Sequence, residues 1–238
     1  MTAETFDFIV IGGGSGGIAA AKRASGHGAR VALIERDRLG GTCVNRGCVP
    51  KKILWNAASI AAAIGDAPDY GFAVDTAPFD WARFTRSREA YIARLNDLYR
   101  RGLDGARVTT INGTATFVDA HTIEVGASRL TAPHVLIVTG SRPEIPPVEG
   151  GALGITSDGF FALDKQPRHA AIVGGGYIAV EFAGALQALG SSVTMLLRGN
   201  ELLTRFDSGV RQMLMEEMRV HGVNFVTGAN IKRIERAG

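Results

Sequence analysis

The sequence predicts an α/β protein made of two similar β-α-β units on parallel sheets, the first unit carrying an added antiparallel β segment. Three observations predict it. Two glycine-rich turns, Gly12–Gly17 and Gly174–Ala179, each join a short apolar run to a helix of small or apolar residues. The turns recur at an interval of 162 positions, counted from Gly12 to Gly174. The chain has 238 residues, about one and a half times the usual domain, so one large or two small domains are expected.

Composition narrows the function classes. Hydrophobic residues at 46% and charged residues at 21% suit a packed core and exclude a disordered chain. The 26 basic and 23 acidic residues are interspersed, which gives nucleic-acid binding no support. The 31 glycines are nearly twice average usage and point to tight backbone turns. Glu4 and Asp7 precede the first apolar run, where a secretory signal would need a basic start. No apolar run approaches the roughly 20 residues of a membrane span, so a cytoplasmic protein without membrane association is expected.

Phe6–Ile11 has the length and β-branching of a buried parallel strand, and Ile18–Ala24 reads as a helix rich in small residues. Arg30–Ile34 is a second strand ending at Glu35. G-x-G-x-x-G in this β-α-β context is the fingerprint of a Rossmann-like dinucleotide-binding unit. Gly12 allows the tight turn, Gly14 lets backbone approach a pyrophosphate, and Gly17 lets helix and strand pack closely. The phosphate then sits on the helix N-terminus, where free N–H groups and the dipole favour an anion. Glu35 can accept hydrogen bonds from both hydroxyls of an adenosine ribose and would repel a 2′-phosphate; a solvated strand-end carboxylate is the bland alternative.

Gly40–Cys48 holds both cysteines, five positions apart, before helical pattern resumes through Ile64. Cys43 and Cys48 can meet only if the helix start is distorted, which glycine and Pro50 permit. A helix N-terminus with Lys51 and Lys52 is then expected to lower the thiol pKa. Zinc lacks two further ligands in this segment. Two buried thiols are the ordinary reading of such a pair; beside a flavin site, a redox-active disulfide is favoured.

Ala82–Leu103 predicts a helix, and Arg107–Ile111, Thr114–Val118, Thr122–Val125 and His134–Val138 are short strand candidates. Thr139–Pro143 closes this stretch, and Pro143, Pro146, Pro147, Gly150 and Gly151 mark a linker. The expected domains are therefore residues 1–148 and 149–238, the second incomplete. In the second unit Ala170–Val173 leads into Gly174, Gly175 and Gly176, then Tyr177, Ile178 and Ala179, with a helix to about Leu189. Ala179 is accepted as the third glycine because that position concerns helix packing. Strand Ser192–Leu197 ends at Arg198, whose guanidinium suits a 2′-phosphate, so this site is expected to prefer NADPH to NADH; an exposed strand-end arginine is the alternative.

On the segments Gly41–Lys52, Ile155–Phe161 and Gly176–Glu181, the whole chain resembles the class I pyridine nucleotide-disulfide oxidoreductases, on the side of the glutathione reductases. Lipoamide dehydrogenases and mercuric reductases typically carry serine where this chain has Lys51. The resemblance implies FAD in the first site, held by Gly12, Gly14, Ser15, Gly16, Gly17, Glu35, Thr42, Lys51, Ala115, Thr139 and Gly140. It implies NADPH in the second, held by Gly174, Gly175, Gly176, Tyr177, Ile178, Glu181, Arg198 and Arg205, with Tyr177 shielding the flavin. The family's second phosphate-binding arginine aligns with Thr204; here the basic residue is Arg205, one position later.

In the same resemblance Cys48 is the thiol against the flavin, Cys43 the one that attacks the substrate disulfide, and Lys51 pairs with Glu181. Ser15, Lys22, Leu98 and Tyr99 match positions at the substrate site, where a Lys22 cation suits the carboxylates of glutathione disulfide. Trypanothione reductases, whose substrate is cationic, place an acid where this chain has Ala19 and a tryptophan where it has Lys22. The family continues into a second FAD segment and a dimer-interface domain that completes a homodimer, so the chain corresponds to the N-terminal half. The family's acid/base histidine precedes a proline, whereas His27, His121, His134, His169 and His221 do not and read as structural or surface residues. The expectation is an NADPH-dependent glutathione-disulfide reductase whose 238 residues alone do not turn over. The alternatives are a truncated dinucleotide-binding module without turnover, or a reductase of another disulfide.

Overall fold

A computed structural model describes residues 3–75 and 77–236. The chain splits into two compact units, one of residues up to Pro50 with Ser87–Arg142, the other of Lys51–Arg86 with residues from Pro143 on.

In the first unit, β1 (Glu4–Thr5) and β2 (Phe8–Ile11) lead into α1 (Ser15–Gly26) and β3 (Val31–Glu35). Then come α2 (Gly41–Arg46), α3 (Cys48–Asp66), of which only the start belongs here, and α4 (Trp81–Gly105), which enters the unit at Ser87. Five strands complete it: β4 (Thr109–Asn112), β5 (Ala115–Phe117), β6 (Thr122–Val125), β7 (Ser128–Thr131) and β8 (His134–Ile137). One sheet, in the order β4-β3-β2-β8, is wholly parallel. The other, β1-β7-β6-β5, pairs β6 antiparallel with both neighbours and β1 parallel with β7.

The parallel sheet is covered on both faces, as such sheets must be. Ile9, Ala32 and Ile34 pack with Phe6, Ile123, Val125 and Leu130, so that face is closed by the mixed sheet. The alternate residues Val10, Val31 and Leu33 pack with Ile18 and Ala21 of α1 and Leu103 of α4. The period-two alternation of β2 and β3 therefore separates two cores.

The strand candidates Arg107–Ile111 and His134–Val138 form as β4 and β8, which join the parallel sheet beside β3 and β2. Strand β7 was not expected: Ser128-Arg129-Leu130-Thr131 has a single apolar residue, Leu130, and no visible alternation. It forms because Gly126, at φ +59°, turns the chain back so that Ser128 pairs with Val125.

In the second unit, α5 (Ser157–Phe161) precedes β9 (His169–Val173), α6 (Tyr177–Ala188), β10 (Ser192–Leu196), α7 (Ser208–Val220) and β11 (Asn224–Val226). Its sheet is parallel in the order β11-β10-β9. Val193 and Met195 of β10 are fully buried with Phe182 and Leu186 of α6, Met215 of α7, and Leu54 and Trp81 from the 51–86 segment. Phe160 stacks on Phe182 at 4.0 Å between centroids, and the Trp81 indole donates to the Leu163 carbonyl at 3.0 Å. Among the described residues no helix is long and apolar enough to cross a membrane.

The first glycine turn joins strand to helix by backbone approach. A Cβ at Gly17 would lie 1.8 Å from the Gly12 carbonyl oxygen, and both groups are rigid backbone. Gly17→Ala is expected to cost about 1–3 kcal/mol of stability by overpacking. The check is the urea midpoint; an unchanged midpoint would show that the approach is not a constraint.

Candidate functional site

The first site forms at the carboxyl ends of β2, β3 and β8. Gly12, at φ +115°, donates its N–H to Ile34 O at 2.8 Å, and a Cβ there would stand 2.3 Å from Val138 O, just before Thr139 and Gly140. Gly12 and Gly17 are thus glycine because the protein leaves no room. Gly14 and Gly16 differ: a Cβ on either would meet nothing nearer than 3.7 Å. Their bareness is not demanded by packing, and it leaves the backbone open to a ligand. Gly14 caps α1 without any side-chain hydrogen bond, so the first-turn N–H groups of Ser15, Gly16 and Gly17 point out of the helix end. These features fit a pyrophosphate.

Glu35, at the end of β3, already accepts from Gly13 N at 2.6 Å and from Asp37 N at 2.8 Å. Each oxygen keeps a further lone pair for a ribose hydroxyl. Gly113 N donates to Glu35 O at 2.9 Å, which ties the start of the mixed sheet, with Ala115 in β5, to this edge.

A second glycine loop lies against the first. Gly14 and Gly40 form a parallel bridge, and Gly40 N donates to Gly13 O at 2.8 Å. A Cβ on Gly41, at φ +59°, would strike Gly14 Cα at 2.7 Å. From this loop α2 carries an exposed Thr42 and a half-buried Cys43, then breaks at Gly47, whose φ of −142° and ψ of −113° are not helical. A Cβ on Gly47 would meet Thr42 O at 2.9 Å. Helix α3 restarts at Cys48, with Pro50 in its first turn where a missing N–H costs nothing. The break turns i and i+5 into neighbours: the Cys43 thiol interacts with Cys48 and with the Ser15 hydroxyl.

The expected lowering of the thiol pKa is corrected for Cys43. Burial pushes it above its ordinary value, and the side chain and charge of Cys48 push the same way, against smaller lowering from the Cys48 backbone and Ser15. Neither lysine is among these influences. Lys51 pairs with Glu181 and lies 4.6 Å from the Tyr177 ring centroid, and Lys52 lies 3.6 Å from that of Trp55.

Of the expected substrate residues, Ser15 and Lys22 are both exposed and lie seven positions, two turns, apart on one face of α1. The Lys22 ammonium lies 3.5 Å from where a Cβ on Gly102 of α4 would stand. Leu98 is exposed, whereas Tyr99 is half-buried and packs against the Val10, Ile18 and Leu103 core, so its apolar body has a structural task.

The second site is a cavity of about 800 Å³ lined by Gly174, Gly175, Gly176, Tyr177, Arg198, Thr204 and Arg205, among others. Gly174 stands at φ +108°, and a Cβ on Gly174 or Gly176 would meet open space. Gly176 caps α6 without a side-chain hydrogen bond, and Ile178 lies half-buried in the first turn. The uncapped helix end, with Arg198 just past β10 and Arg205 in the loop that follows, fits a phosphorylated nucleotide.

Several residues here escaped sequence reasoning. Asn45 Nδ2 donates to the carbonyls of Gly41 at 2.9 Å and Leu39 at 3.2 Å, and Asn96 Nδ2 donates to Leu39 O at 2.7 Å and Asn45 Oδ1 at 3.0 Å, bracing the Gly40–Gly41 turn. Asn45 sits inside the cysteine motif and could have been singled out there. Leu203, at φ +50°, and Glu201 shape the second cavity without any sequence signal. Among the described residues no three metal-ligating side chains cluster.

Two glycine-turn nucleotide folds and a vicinal cysteine pair define a dinucleotide-binding dithiol protein. Residues 6–238 match the pyridine nucleotide-disulphide oxidoreductase family. The chain belongs to that family. It is 45% identical over 231 residues to a glutathione reductase of Nostoc sp., covering 97% of this chain and 50% of the relative. A glutathione reductase of Schizosaccharomyces pombe is 44% identical, with 98% and 52% covered. The chain thus spans about half the length of the curated relatives it matches. Among solved structures it is similar to the Cu(II) complex of a cysteine-to-serine mutant of RclA, an HOCl-induced flavoprotein disulfide reductase of Escherichia coli. That likeness has a TM-score of 0.87 at 27% identity over 99% of this chain and 52% of the other.

With Cys43 raised, its thiolate fraction at neutral pH is smaller than that of an ordinary thiol and grows only in alkali. Alkylation of reduced protein by iodoacetamide, followed at Cys43 by mass spectrometry from pH 6 to 10.5, is expected to rise with an apparent pKa above that of a model thiol. A midpoint below it would contradict burial as the dominant influence.

Proposed function

We propose that the chain is the nucleotide-binding part of a cytoplasmic, homodimeric flavoprotein disulfide reductase that passes electrons from NADPH through FAD and the Cys43/Cys48 pair to glutathione disulfide. The observation that carries the reading is the Gly47 break, which makes neighbours of two cysteines beside the uncapped turn that fits a pyrophosphate. The relatives named glutathione reductase support the substrate. The exposed Ile60 and Ile64, one turn apart on α3, offer an apolar surface for a second copy. A reducing cytosol suits a pair that works by alternating between dithiol and disulfide.

When bound, FAD supplies two-electron transfer between NADPH and the disulfide. The chain's own residues do the rest. In the reading, Gly14 and Gly16 admit the pyrophosphate, Glu35 holds the ribose, and Arg198 with Arg205 meets the 2′-phosphate of NADPH. Cys43 loses its proton to a base, attacks one sulfur of glutathione disulfide and releases the first glutathione thiolate, which takes up a proton. Cys48 then attacks the Cys43 sulfur of the mixed disulfide and releases the second glutathione. Because burial raises the Cys43 pKa, a base at this step favours the attacking thiolate. Lys22 offers a cation to the glutathione carboxylates, and Lys51 with Glu181 forms a fixed ion pair next to Tyr177.

Two measurements test the reading in flavin-loaded protein. Cys43→Ser is expected to leave a Cys48 thiolate against oxidised flavin and so give a long-wavelength absorption band. The band arising with Cys48→Ser and not with Cys43→Ser would reverse the two roles. Arg198→Glu removes a charge-assisted contact of about 1.5–3 kcal/mol, so the NADPH KM is expected to rise at least tenfold and the NADH KM little. Equal effects on both cofactors would remove Arg198 from the site.

A further inference from the structure

We propose that Arg211, outside both glycine motifs, sets the preference of the second cavity for a 2′-phosphate by neutralising Glu201. The inference rests on the nucleotide reading of that cavity given above. The loop from Arg198 to Phe206 supplies Arg198, Glu201, Thr204 and Arg205 to the lining, and Glu201 is the acidic residue among the described lining residues. A carboxylate there repels the most highly charged part of NADPH while barely affecting NADH.

The backbone of the loop is tied to the glycine turn close to this carboxylate. Leu203 adopts a left-handed backbone, φ +50°, which a leucine rarely takes, and donates its N–H to Gly175 O at 2.7 Å. That bond ties the loop to the glycine turn. Glu201, two residues earlier, is ion-paired to Arg211 Nη1, with the Arg211 side chain 13% exposed and that of Glu201 38%. Arg211 lies at the start of α7, whose cap Asp207 accepts from Gly209 N at 2.9 Å and Val210 N at 3.1 Å.

A helix start is a poor place for a cation, and Arg211 Nε is buried there without a hydrogen-bond partner. Both features make Arg211 costly for stability alone. Its compensation comes from the Glu201 pair, which cancels the carboxylate and, among the described residues, leaves Arg198 and Arg205 without an ion pair in the cavity lining. Arg211 therefore acts through Glu201, as a specificity-determining residue that need not touch the nucleotide.

The test is calorimetric titration of the purified chain with NADP⁺ and NAD⁺ at low and moderate salt. Arg211→Leu is expected to weaken NADP⁺ binding roughly tenfold and NAD⁺ less than twofold, with the difference shrinking as salt rises. Glu201→Gln alone is expected to bind NADP⁺ at least as tightly as the parent, and Glu201→Gln added to Arg211→Leu to restore the NADP⁺ preference. The Gln variant also decides the matter if Arg211→Leu does not fold, since a selective loss of NADP⁺ in it would overturn the proposal. So would an equal loss of both nucleotides in Arg211→Leu, or failure of the double variant to recover. A parent chain that binds NADP⁺ no better than NAD⁺ would instead overturn the NADPH reading, and this inference with it.

Discussion

The approach of α1 to the Gly12 carbonyl is the constraint on which the first site depends. With only hydrogen at Gly17, where a Cβ would be 1.8 Å from that oxygen, the helix can begin directly over the strand end. Its uncapped N–H groups then face the same opening as Glu35 and the Gly40–Gly41 loop. Moving α1 outward by a methyl radius would separate Ser15 from Cys43 and Gly14 from Gly40 together. Packing density and ligand geometry are here the same requirement, which is why the turn tolerates so few residue types.

The two sites reuse one backbone device with opposite charge. Glu35 ends β3 in the first unit, and Arg198 stands two residues past the end of β10 in the second. The carboxylate is tied down by Gly13 N and Asp37 N, so its charge is fixed in direction. Arg198 is exposed and finds its field within a loop that also holds Glu201 and Arg205. In the proposed reading, one unit selects by a single anchored acid, the other by a balance among several charges.

Much of this was legible in the residues. The β-α-β units stood out because apolar runs, glycine spacing and the strand-end charges agree, and each is enforced locally. The cysteine pair was legible because only glycine at Gly47 allows the break, where a Cβ would crowd Thr42 O. Strand β7 was hidden, since its pairing is dictated by the Gly126 turn and by β1, not by its own side chains. The thiol pKa was misjudged because helix and lysine charges are visible in sequence, whereas burial and the commitment of Lys51 to Glu181, 130 positions away, are not. Leu203 and Arg211 matter through tertiary placement, which no local pattern announces.

The interleaving of the two units has a consequence for synthesis. The first unit needs β8, ending at Ile137, to complete its parallel sheet, and β1 at Glu4–Thr5 waits for Leu130–Thr131. The 51–86 segment, made earlier, packs in a core whose other members, Phe160 and Phe182 among them, come later still. An emerging chain therefore carries Leu54, Ala58 and Trp81 without their partners while the first unit is closing. For that interval these residues are exposed to any hydrophobic surface in reach, including another nascent chain, and the exposure ends only when elongation has passed Phe182.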